Sequence, residues 1–238
     1  MTPYYQDDIV TIYHGDCREV LPSLSDVDYV FTSPPYNRGD MSGGLANLDG
    51  GYRSYADQMP QDEYEEWQRD VLRLCWETLT DEGAIYYNHK TRIVDGVAWL
   101  PFCLNPGLPL RQVITWDAVI GMNWSESFYL PLTEWVMVFA KPAFRLLSKQ
   151  ASHTSDIWRI PRDTSQNEHP AAFPLGLPQT ALSSVAPGLV LDPFMGSGTT
   201  LRAAKNTGHR AVGIEIDERY CEIAVQRLAQ ETIFGAAA

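Results

Sequence analysis

Cysteine and histidine are scarce in this 238-residue chain, which has four of one and five of the other. The cysteines are widely scattered, at Cys17, Cys75, Cys103 and Cys221, and no two have metal-ligand spacing. We therefore expect no metal site, and reduced thiols in a cytoplasmic protein. Long apolar runs and a signal-peptide pattern are also lacking, so we expect no membrane association. With 45% hydrophobic residues, the chain is long enough to form one soluble domain.

Positive charge is limited as well. Lysine and arginine number 18 against 30 acidic residues, which gives a formal net charge of −12. This balance excludes a uniformly basic surface of the kind that binds nucleic acid by neutralising phosphates. The segment 141–165 is an exception, because its basic residues outnumber its two acids, Asp156 and Asp163. An anionic partner would therefore have to meet a local basic strip.

A proline corner follows a predicted buried strand near the N-terminus. The strand, Asp28–Phe31, leads after one residue into Ser33, Pro34, Pro35 and Tyr36. Two consecutive prolines remove two backbone donors and fix φ, so the corner is rigid and its carbonyls face outward. A hydroxyl can accept hydrogen bonds from an amino group, and an aromatic ring can stack on a planar ring. The pattern fits an amino-bearing nucleobase, although a plain rigid turn is the structural alternative.

A glycine-rich turn lies in the C-terminal part of the chain. The predicted strand Leu189–Leu191 runs into Asp192-Pro193-Phe194-Met195-Gly196-Ser197-Gly198-Thr199-Thr200, and a helical stretch follows. Glycines permit positive φ, and a helix N-terminus offers free N–H groups to an anionic group. No P-loop lysine follows, which disfavours phosphate transfer. The next predicted strand, Ala211–Ile214, ends at Glu215, at the spacing where a carboxylate meets ribose hydroxyls.

These motifs, in this order, resemble those of AdoMet-dependent DNA amino-methyltransferases over nearly the whole chain. The order is similar to that of the permuted β group, in which the Pro-Pro-Tyr half precedes the glycine half. Three further segments of the chain match the family pattern: Gly15-Asp16-Cys17, Glu134-Trp135-Val136-Met137-Val138-Phe139-Ala140-Lys141, and His169-Pro170-Ala171-Ala172-Phe173-Pro174. The resemblance implies S-adenosyl-L-methionine as the cofactor and double-stranded DNA as the substrate.

The resemblance also implies roles for individual residues. A target base flipped out of the duplex would stack on Tyr36, while the Ser33 hydroxyl and the Pro34 carbonyl accept hydrogen bonds from its amino group. For the cofactor, Asp16 would bind the adenine amino group and the Cys17 backbone a ring nitrogen. Glu215 would bind the ribose. The methionine portion and the adenine side fall to Asp192, Pro193, Phe194, Gly196, Ser197, Gly198, Thr199 and Thr200.

DNA contacts are expected mainly from the basic strip. We predict that it lines a DNA-facing cleft together with two arginines from an earlier glycine-rich segment: Lys141, Arg145, Lys149, Arg159 and Arg162, with Arg38 and Arg53. That glycine-rich segment, 37–55, is predicted to be a mobile lid over DNA or cofactor, or else a flexible connector. By family order, residues 142–168 form a short target-recognition segment between a catalytic half, 1–141, and an AdoMet-binding half, 169–238.

The predicted fold class is α/β. Seven apolar runs alternate with helical segments, among them an amphipathic helix over Gln61–Leu79. This pattern predicts a doubly wound, mostly parallel seven-stranded sheet with an antiparallel edge hairpin, which is the Rossmann-like fold of AdoMet-dependent methyltransferases. The hairpin is expected from Gln112–Trp116 and Trp135–Phe139, because no helix is evident between them. A monomer or homodimer is expected, with a cognate restriction endonuclease as a partner.

The base that is methylated is open to two interpretations. Within the family, serine at the first corner position is usually associated with N4-cytosine enzymes and aspartate with N6-adenine enzymes, so Ser33 favours cytosine. Carbon-5 chemistry is disfavoured because no Pro-Cys dipeptide occurs. An RNA or protein amide methyltransferase and a non-catalytic DNA-binding module are the remaining alternatives. The overall acidity and the short segment 142–168 keep the last of these open.

Overall fold

The computed structural model describes residues 2–37, 59–94, 96–121, 125–162 and 173–229. Its strands are β1 (Tyr5–Gln6), β2 (Val10–His14), β3 (Val27–Thr32), β4 (Leu79–His89), β5 (Arg92–Val94), β6 (Val97–Trp99), β7 (Leu110–Asp117), β8 (Thr133–Ala140), β9 (Ile157–Arg159), β10 (Leu189–Asp192) and β11 (Arg210–Glu215). Its α-helices are α1 (Cys17–Val20), α2 (Gln61–Thr78), α3 (Lys149–Ser152), α4 (Gly176–Leu182), α5 (Thr199–Asn206) and α6 (Glu218–Ala229).

Within the described residues, nine strands form one sheet in the order β1-β2-β11-β10-β3-β4-β8-β7-β9, and β5 pairs with β6 in a separate hairpin. Strands β2, β11, β10, β3 and β4 run parallel to one another, whereas β8 is antiparallel to both β4 and β7. The predicted α/β fold class, with a mostly parallel sheet and an antiparallel hairpin, is confirmed.

The predicted strand number was too low. All seven expected runs are strands, but β1 and β9 extend the sheet at its two edges. A two-residue or three-residue strand is too short to show the alternation of side chains that identifies a strand in a sequence. Strand β9 also pairs with β7, parallel to it, so the β7–β8 hairpin is not the outermost part of the sheet.

The two faces of the sheet are covered by different helices, as a doubly wound fold requires. On β3, Phe31 packs in a core with residues of α4, α5 and α6, while its neighbour Val30 packs in a second core with residues of α1 and α2. Alternate side chains of one strand therefore serve both cores. Burial of one such side chain stabilises the fold by roughly 1.5–3 kcal/mol.

The strand directions bring the two sequence motifs together. Strands β10 and β3 are adjacent and parallel, with Val190 opposite Tyr29 and Leu191 opposite Val30. Their carboxyl ends, at Asp192 and Thr32, therefore meet at the same edge of the sheet. In open α/β sheets, ligands bind outside the carboxyl ends of the strands. This edge is where the proline corner and the glycine-rich turn begin.

Candidate active site

The proline corner carries a network of polar side chains. The Ser33 Oγ lies 2.8 Å from the Tyr36 hydroxyl, which in turn lies 3.1 Å from the Asn88 Oδ1 and 3.1 Å from the Glu134 Oε2. The other Glu134 oxygen accepts a 2.5 Å hydrogen bond from Arg162 Nη2. Burial is the main reason that the pKa of Tyr36 is raised well above its ordinary value, and Glu134 adds to it. Tyr36 is therefore a neutral phenol.

A second set of contacts holds the corner from behind. The His89 ring packs against the Tyr36 ring at 4.5 Å, and its Nε2 lies 2.7 Å from the Tyr64 hydroxyl. Burial lowers the pKa of His89 to about 3, so the ring is neutral. Its Nδ1 faces the Lys90 carbonyl at 2.9 Å, which can only accept, so Nδ1 carries the proton and Nε2 is the acceptor. The Arg92 guanidinium adds a hydrogen bond of 2.7 Å to the Tyr36 carbonyl.

A cleft beside the corner brings the two halves of the chain together. It combines polar, glycine and aromatic residues from the N-terminal turn, the corner, α2 and the glycine-rich turn: Gly15, Asp16, Cys17, Arg18, Ser33, Pro35, Met59, Trp67, Pro193, Phe194, Gly196, Glu215 and Ile216. The residues predicted from the cofactor and corner motifs that share this cleft are Asp16, Cys17, Ser33, Pro35, Pro193, Phe194, Gly196 and Glu215.

Asp16 lies at one end of this cleft. Its side chain caps α1 by accepting from the Arg18 backbone N–H at 2.9 Å, and it also accepts from the Arg18 guanidinium at 2.6 Å. The hydrogen bond from the Arg18 side chain is the largest cause of the lowered pKa of Asp16. Asp16 is therefore an ionised acceptor. The neighbouring Cys17 is buried, which raises the pKa of its thiol to about 12, so a thiolate role is excluded.

Glu215 lies at the end of β11 and is only 7% exposed. One carboxylate oxygen accepts from the Gly196 N–H and the other from the Asp217 N–H, both at 2.9 Å. Burial raises the pKa of this carboxyl group, and the backbone donors oppose that shift. A carboxylate has about four acceptor sites. Glu215 can thus brace the glycine-rich turn and still accept from a diol in the cleft.

Asp192 joins the two motifs. Its Oδ1 accepts from the Thr32 hydroxyl at 2.8 Å and from the Phe194 N–H at 3.1 Å. The side chain is 1% exposed, and this burial raises its pKa to about 6. We expected Asp192 to help hold the cofactor, but the structure places it beneath the cleft, where it connects the strand before the corner to the glycine-rich turn.

The glycine-rich turn packs mainly against α6. Gly198 has φ of +80°, and a Cβ added there would lie 3.0 Å from the Ala224 Cβ. We expected this glycine to allow close approach to a ligand, but the structure shows close approach to a helix. The hydroxyls of Ser197 and Thr199 accept from Arg227 at 3.3 and 3.1 Å. The Thr200 hydroxyl donates to the Phe31 carbonyl at 3.3 Å. Of the turn, the cleft is lined by Pro193, Phe194 and Gly196.

Several residues of the site had no role in the sequence prediction. Trp67 forms an edge-to-face pair with Phe194 at 5.5 Å and lines the cleft. Asn88 and His89 end β4, and Glu134 lies near the start of β8. The position of Asn88 and His89, polar residues at the carboxyl end of a parallel strand, is a signal that could have identified them. Trp67 lies in an ordinary amphipathic helix, and no local signal distinguishes it.

The predicted DNA-contacting residues do not lie together in one strip. Arg159 ends β9, at the edge of the sheet that carries the corner, is 80% exposed at its side chain and pairs with Asp117 at 3.5 Å. Arg162 is bound to Glu134. Lys141 follows the other end of β8, where its ammonium lies over the Trp76 ring at 4.2 Å. Arg145 and Lys149 line a different cavity with Arg111 and Trp158.

Some expected features lie outside the described residues. Arg38 and Arg53 do, with nearly all of the segment 37–55 and with His169-Pro170-Ala171-Ala172. Across the ranges that the structure describes, no helix is long and apolar enough to span a membrane. Over the same ranges, no group of three or more histidine, cysteine or acidic side chains is arranged to hold a metal ion.

Comparison with known proteins gives the following results. A family model described as DNA methylase, N6_N4_Mtase, matches residues 27–226. The Type II methyltransferase M.ScaI of Streptomyces caespitosus is 27% identical over 272 residues, which cover 96% of this chain and 84% of that protein. The DNA adenine methyltransferase YhdJ of Escherichia coli (strain K12) is 26% identical over 263 residues, covering 95% of this chain and 85% of that protein.

Solved structures show the same fold. The cytosine-N4-specific PvuII DNA methyltransferase superposes with a TM-score of 0.77 over 97% of this chain and 90% of that one, at 20% identity. A DNA modification methylase of Thermus thermophilus, TTHA0409, complexed with S-adenosyl-L-methionine, superposes with a TM-score of 0.66 over 92% of this chain and 94% of that one, at 26% identity.

Proposed function

The chain belongs to the N6/N4 family of DNA methylases, and we propose that within this family it methylates the exocyclic N4 of cytosine in double-stranded DNA. The family transfers a methyl group from S-adenosyl-L-methionine to an amino group of a DNA base. The observation that carries the proposal is the position of Ser33. Its hydroxyl bonds to Tyr36 and lines the same cleft as Phe194 and Glu215, so an acceptor for the substrate amine borders the cleft assigned to the cofactor.

The cleft fits S-adenosyl-L-methionine by the chemistry of its donors and acceptors. We assign Asp16, an ionised acceptor, to the adenine amino group, and Glu215 to the ribose diol. Phe194 and Trp67 form an aromatic wall suited to the adenine ring. When bound there, the cofactor supplies the electrophilic methyl group. The lining contains residues from both halves of the chain, so the cofactor site is not confined to the half 169–238.

The corner would hold and orient the base. An exocyclic amine is a weak nucleophile because its lone pair is delocalised into the ring, so most of the catalysis must come from positioning. We assign the Tyr36 ring, backed by His89 at 4.5 Å, to stack on a flipped base, and Ser33 to accept from its amino group. The Pro35 carbonyl is already engaged by the Tyr64 hydroxyl at 3.0 Å. Pro34 is buried, and its carbonyl remains our second candidate acceptor for the amine.

Cytosine is favoured over adenine by Ser33, since serine at this position is the form associated with N4-cytosine enzymes. For DNA binding we propose Arg159, which is exposed at the edge of the sheet that carries the corner. Arg38 and Arg53 remain proposals from the sequence. We also propose residues 142–168 as a target-recognition segment. A cognate restriction endonuclease is the proposed cellular partner.

The direct test is identification of the methylated nucleoside. The protein is incubated with S-adenosyl-L-methionine and unmethylated genomic DNA, the DNA is digested to nucleosides, and the products are identified by mass spectrometry. N4-methylcytosine is the expected product. N6-methyladenine would preserve the family reaction and overturn the choice of base. Folded protein that binds the cofactor and modifies no nucleoside in DNA would contradict the proposed substrate, and an RNA substrate would then be tested.

A further inference from the structure

We propose that Glu134 is the terminal proton acceptor of a relay that runs from the substrate amine through Ser33 and Tyr36. The inference rests on the proposed function, because it concerns the fate of the proton that the amine loses on methylation. Within this relay, Ser33 contacts the amine, whereas Tyr36 and Glu134 act through it. Glu134 is thus a positioning residue for the Ser33 oxygen as well as the site where the proton comes to lie.

The atoms of the relay are within hydrogen-bonding distance of one another. Ser33 Oγ and the Tyr36 hydroxyl are separated by 2.8 Å, and the Tyr36 hydroxyl and the Glu134 Oε2 by 3.1 Å. These residues come from the proline corner and from β8, which are far apart in sequence. Glu134 is 4% exposed, so its carboxylate is kept from bulk water. A charged acceptor in such surroundings strengthens the hydrogen bond that it receives.

The direction of the hydrogen bonds follows from counting protons. Tyr36 has one hydroxyl proton and two candidate acceptors, Asn88 Oδ1 and Glu134 Oε2. The Asn88 amide is oriented because its Nδ2 donates to the Trp135 carbonyl at 3.2 Å, so its oxygen, and not its NH₂ group, faces Tyr36. The Tyr36 proton is therefore donated away from Ser33. Since Tyr36 has no other proton, Ser33 must be the donor in the bond between them, which leaves its lone pairs for the amine.

The Arg162 guanidinium orients the carboxylate. It donates to the Glu134 Oε1 at 2.5 Å and lies over the Trp116 ring at 4.8 Å. Trp116 in turn is held by a 2.7 Å hydrogen bond from its Nε1 to the Ile160 carbonyl. With Oε1 occupied by the arginine, Oε2 is the oxygen directed at Tyr36. This gives Arg162, which the sequence suggested as a phosphate contact, a place in the active site.

The proton balance is complete with these groups. When the amine nitrogen takes the methyl group, a nitrogen–carbon bond forms and the carbon–sulfur bond of the donor breaks, with its electron pair going to sulfur. The amine proton then moves to Ser33 Oγ, the Ser33 proton to the Tyr36 oxygen, and the Tyr36 proton to Glu134 Oε2. The products are a neutral methylated amine and a protonated Glu134, which releases its proton to water before the next turnover.

The test compares Glu134→Gln and Tyr36→Phe with their double variant. Glutamine keeps the size and an oxygen acceptor but cannot take a proton, and phenylalanine keeps the ring and breaks the relay. We expect each single variant to lower the single-turnover rate of methyl transfer by about 10²-fold, with cofactor and DNA affinities unchanged. The double variant should lose no more than the worse single variant. The wild-type rate should fall in D₂O, and the variants should lose this dependence. Glu126→Gln, which removes an exposed charge from the loop before β8, is the matched control.

Three outcomes would overturn the relay. These are a Glu134→Gln rate equal to that of the wild type, a double variant whose losses multiply, and a solvent isotope effect that persists in both single variants. If Glu134→Gln does not fold, as thermal unfolding would reveal, Tyr36→Phe alone decides, because it deletes one oxygen atom, and an unchanged rate and isotope effect then reject the relay. A wild-type enzyme that methylates no DNA would reject the relay and the proposed function together, whereas the three outcomes above reject the relay alone.

Discussion

Asp192 makes the stability of this protein depend on pH in a direction opposite to that of most carboxylates. Its ordinary pKa of 3.8 is raised to about 6 by burial. The free energy of unfolding therefore has its full contribution from this group below pH 3.8, where Asp192 is protonated in both states, and loses it as the pH rises through 6. At about 1.36 kcal/mol per pH unit, the whole loss is about 3 kcal/mol. Of this, about 1.4 kcal/mol falls between about pH 5 and about pH 8.

The variant Asp192→Asn isolates this contribution. The amide oxygen can still accept from the Thr32 hydroxyl and the Phe194 N–H, and the site no longer holds a charge at high pH. Relative to the wild type, the variant should therefore gain about 1.4 kcal/mol in free energy of unfolding between about pH 5 and about pH 8.

Urea unfolding at the two pH values measures this difference. The exposed Asp81→Asn variant, measured in the same way, accounts for effects common to the loss of one negative charge. If the difference between wild type and Asp192→Asn is the same at both pH values, Asp192 is not a buried carboxyl group with a raised pKa.

Three further predictions concern binding and catalysis. Tyr36→Ala should abolish methyl transfer and leave cofactor affinity little changed in calorimetric titration, and a large loss of affinity would contradict its assignment to the base. Gly198→Val should lose cofactor binding, because the left-handed φ costs about 1–2 kcal/mol and its Cβ meets Ala224 at 3.0 Å; unchanged binding by a folded variant would argue against the turn as part of the cofactor site. Methylation of DNA should fall steeply with added salt while cofactor affinity does not; a flat profile would indicate a substrate without phosphates.

Local motifs predicted much of the candidate site because its chemistry is concentrated in short segments. The corner and the glycine-rich turn each combine a strand end with a rigid or glycine-containing turn, and both are recognisable without knowledge of their neighbours. The carboxylate of Glu215 was found by its distance in sequence from the glycines. The helix predicted over Gln61–Leu79 is α2, which ends one residue earlier, at Thr78.

Charge, in contrast, could not be assigned to a surface from the sequence. The basic residues of 141–165 are close in sequence, but β9 carries Arg159 to the edge of the sheet with the corner, whereas Lys141 lies at the opposite end of β8. A net charge or a local count carries no information on which end of a strand a residue occupies. The pairing of β9 with β7 involves three residues on each strand, too few to be predicted from side-chain alternation.

The sequence by itself determined the fold class, the family and the two motifs, because each depends on the order and spacing of residues along the chain. Only the tertiary structure decided that the Thr32 hydroxyl meets Asp192, and that Glu134 and Arg162 stand behind Tyr36. These contacts join residues that are distant in sequence, and they depend on the register of parallel strands and on the reversed direction of β8. Register is set by the packing of whole elements, which no local pattern of residues specifies.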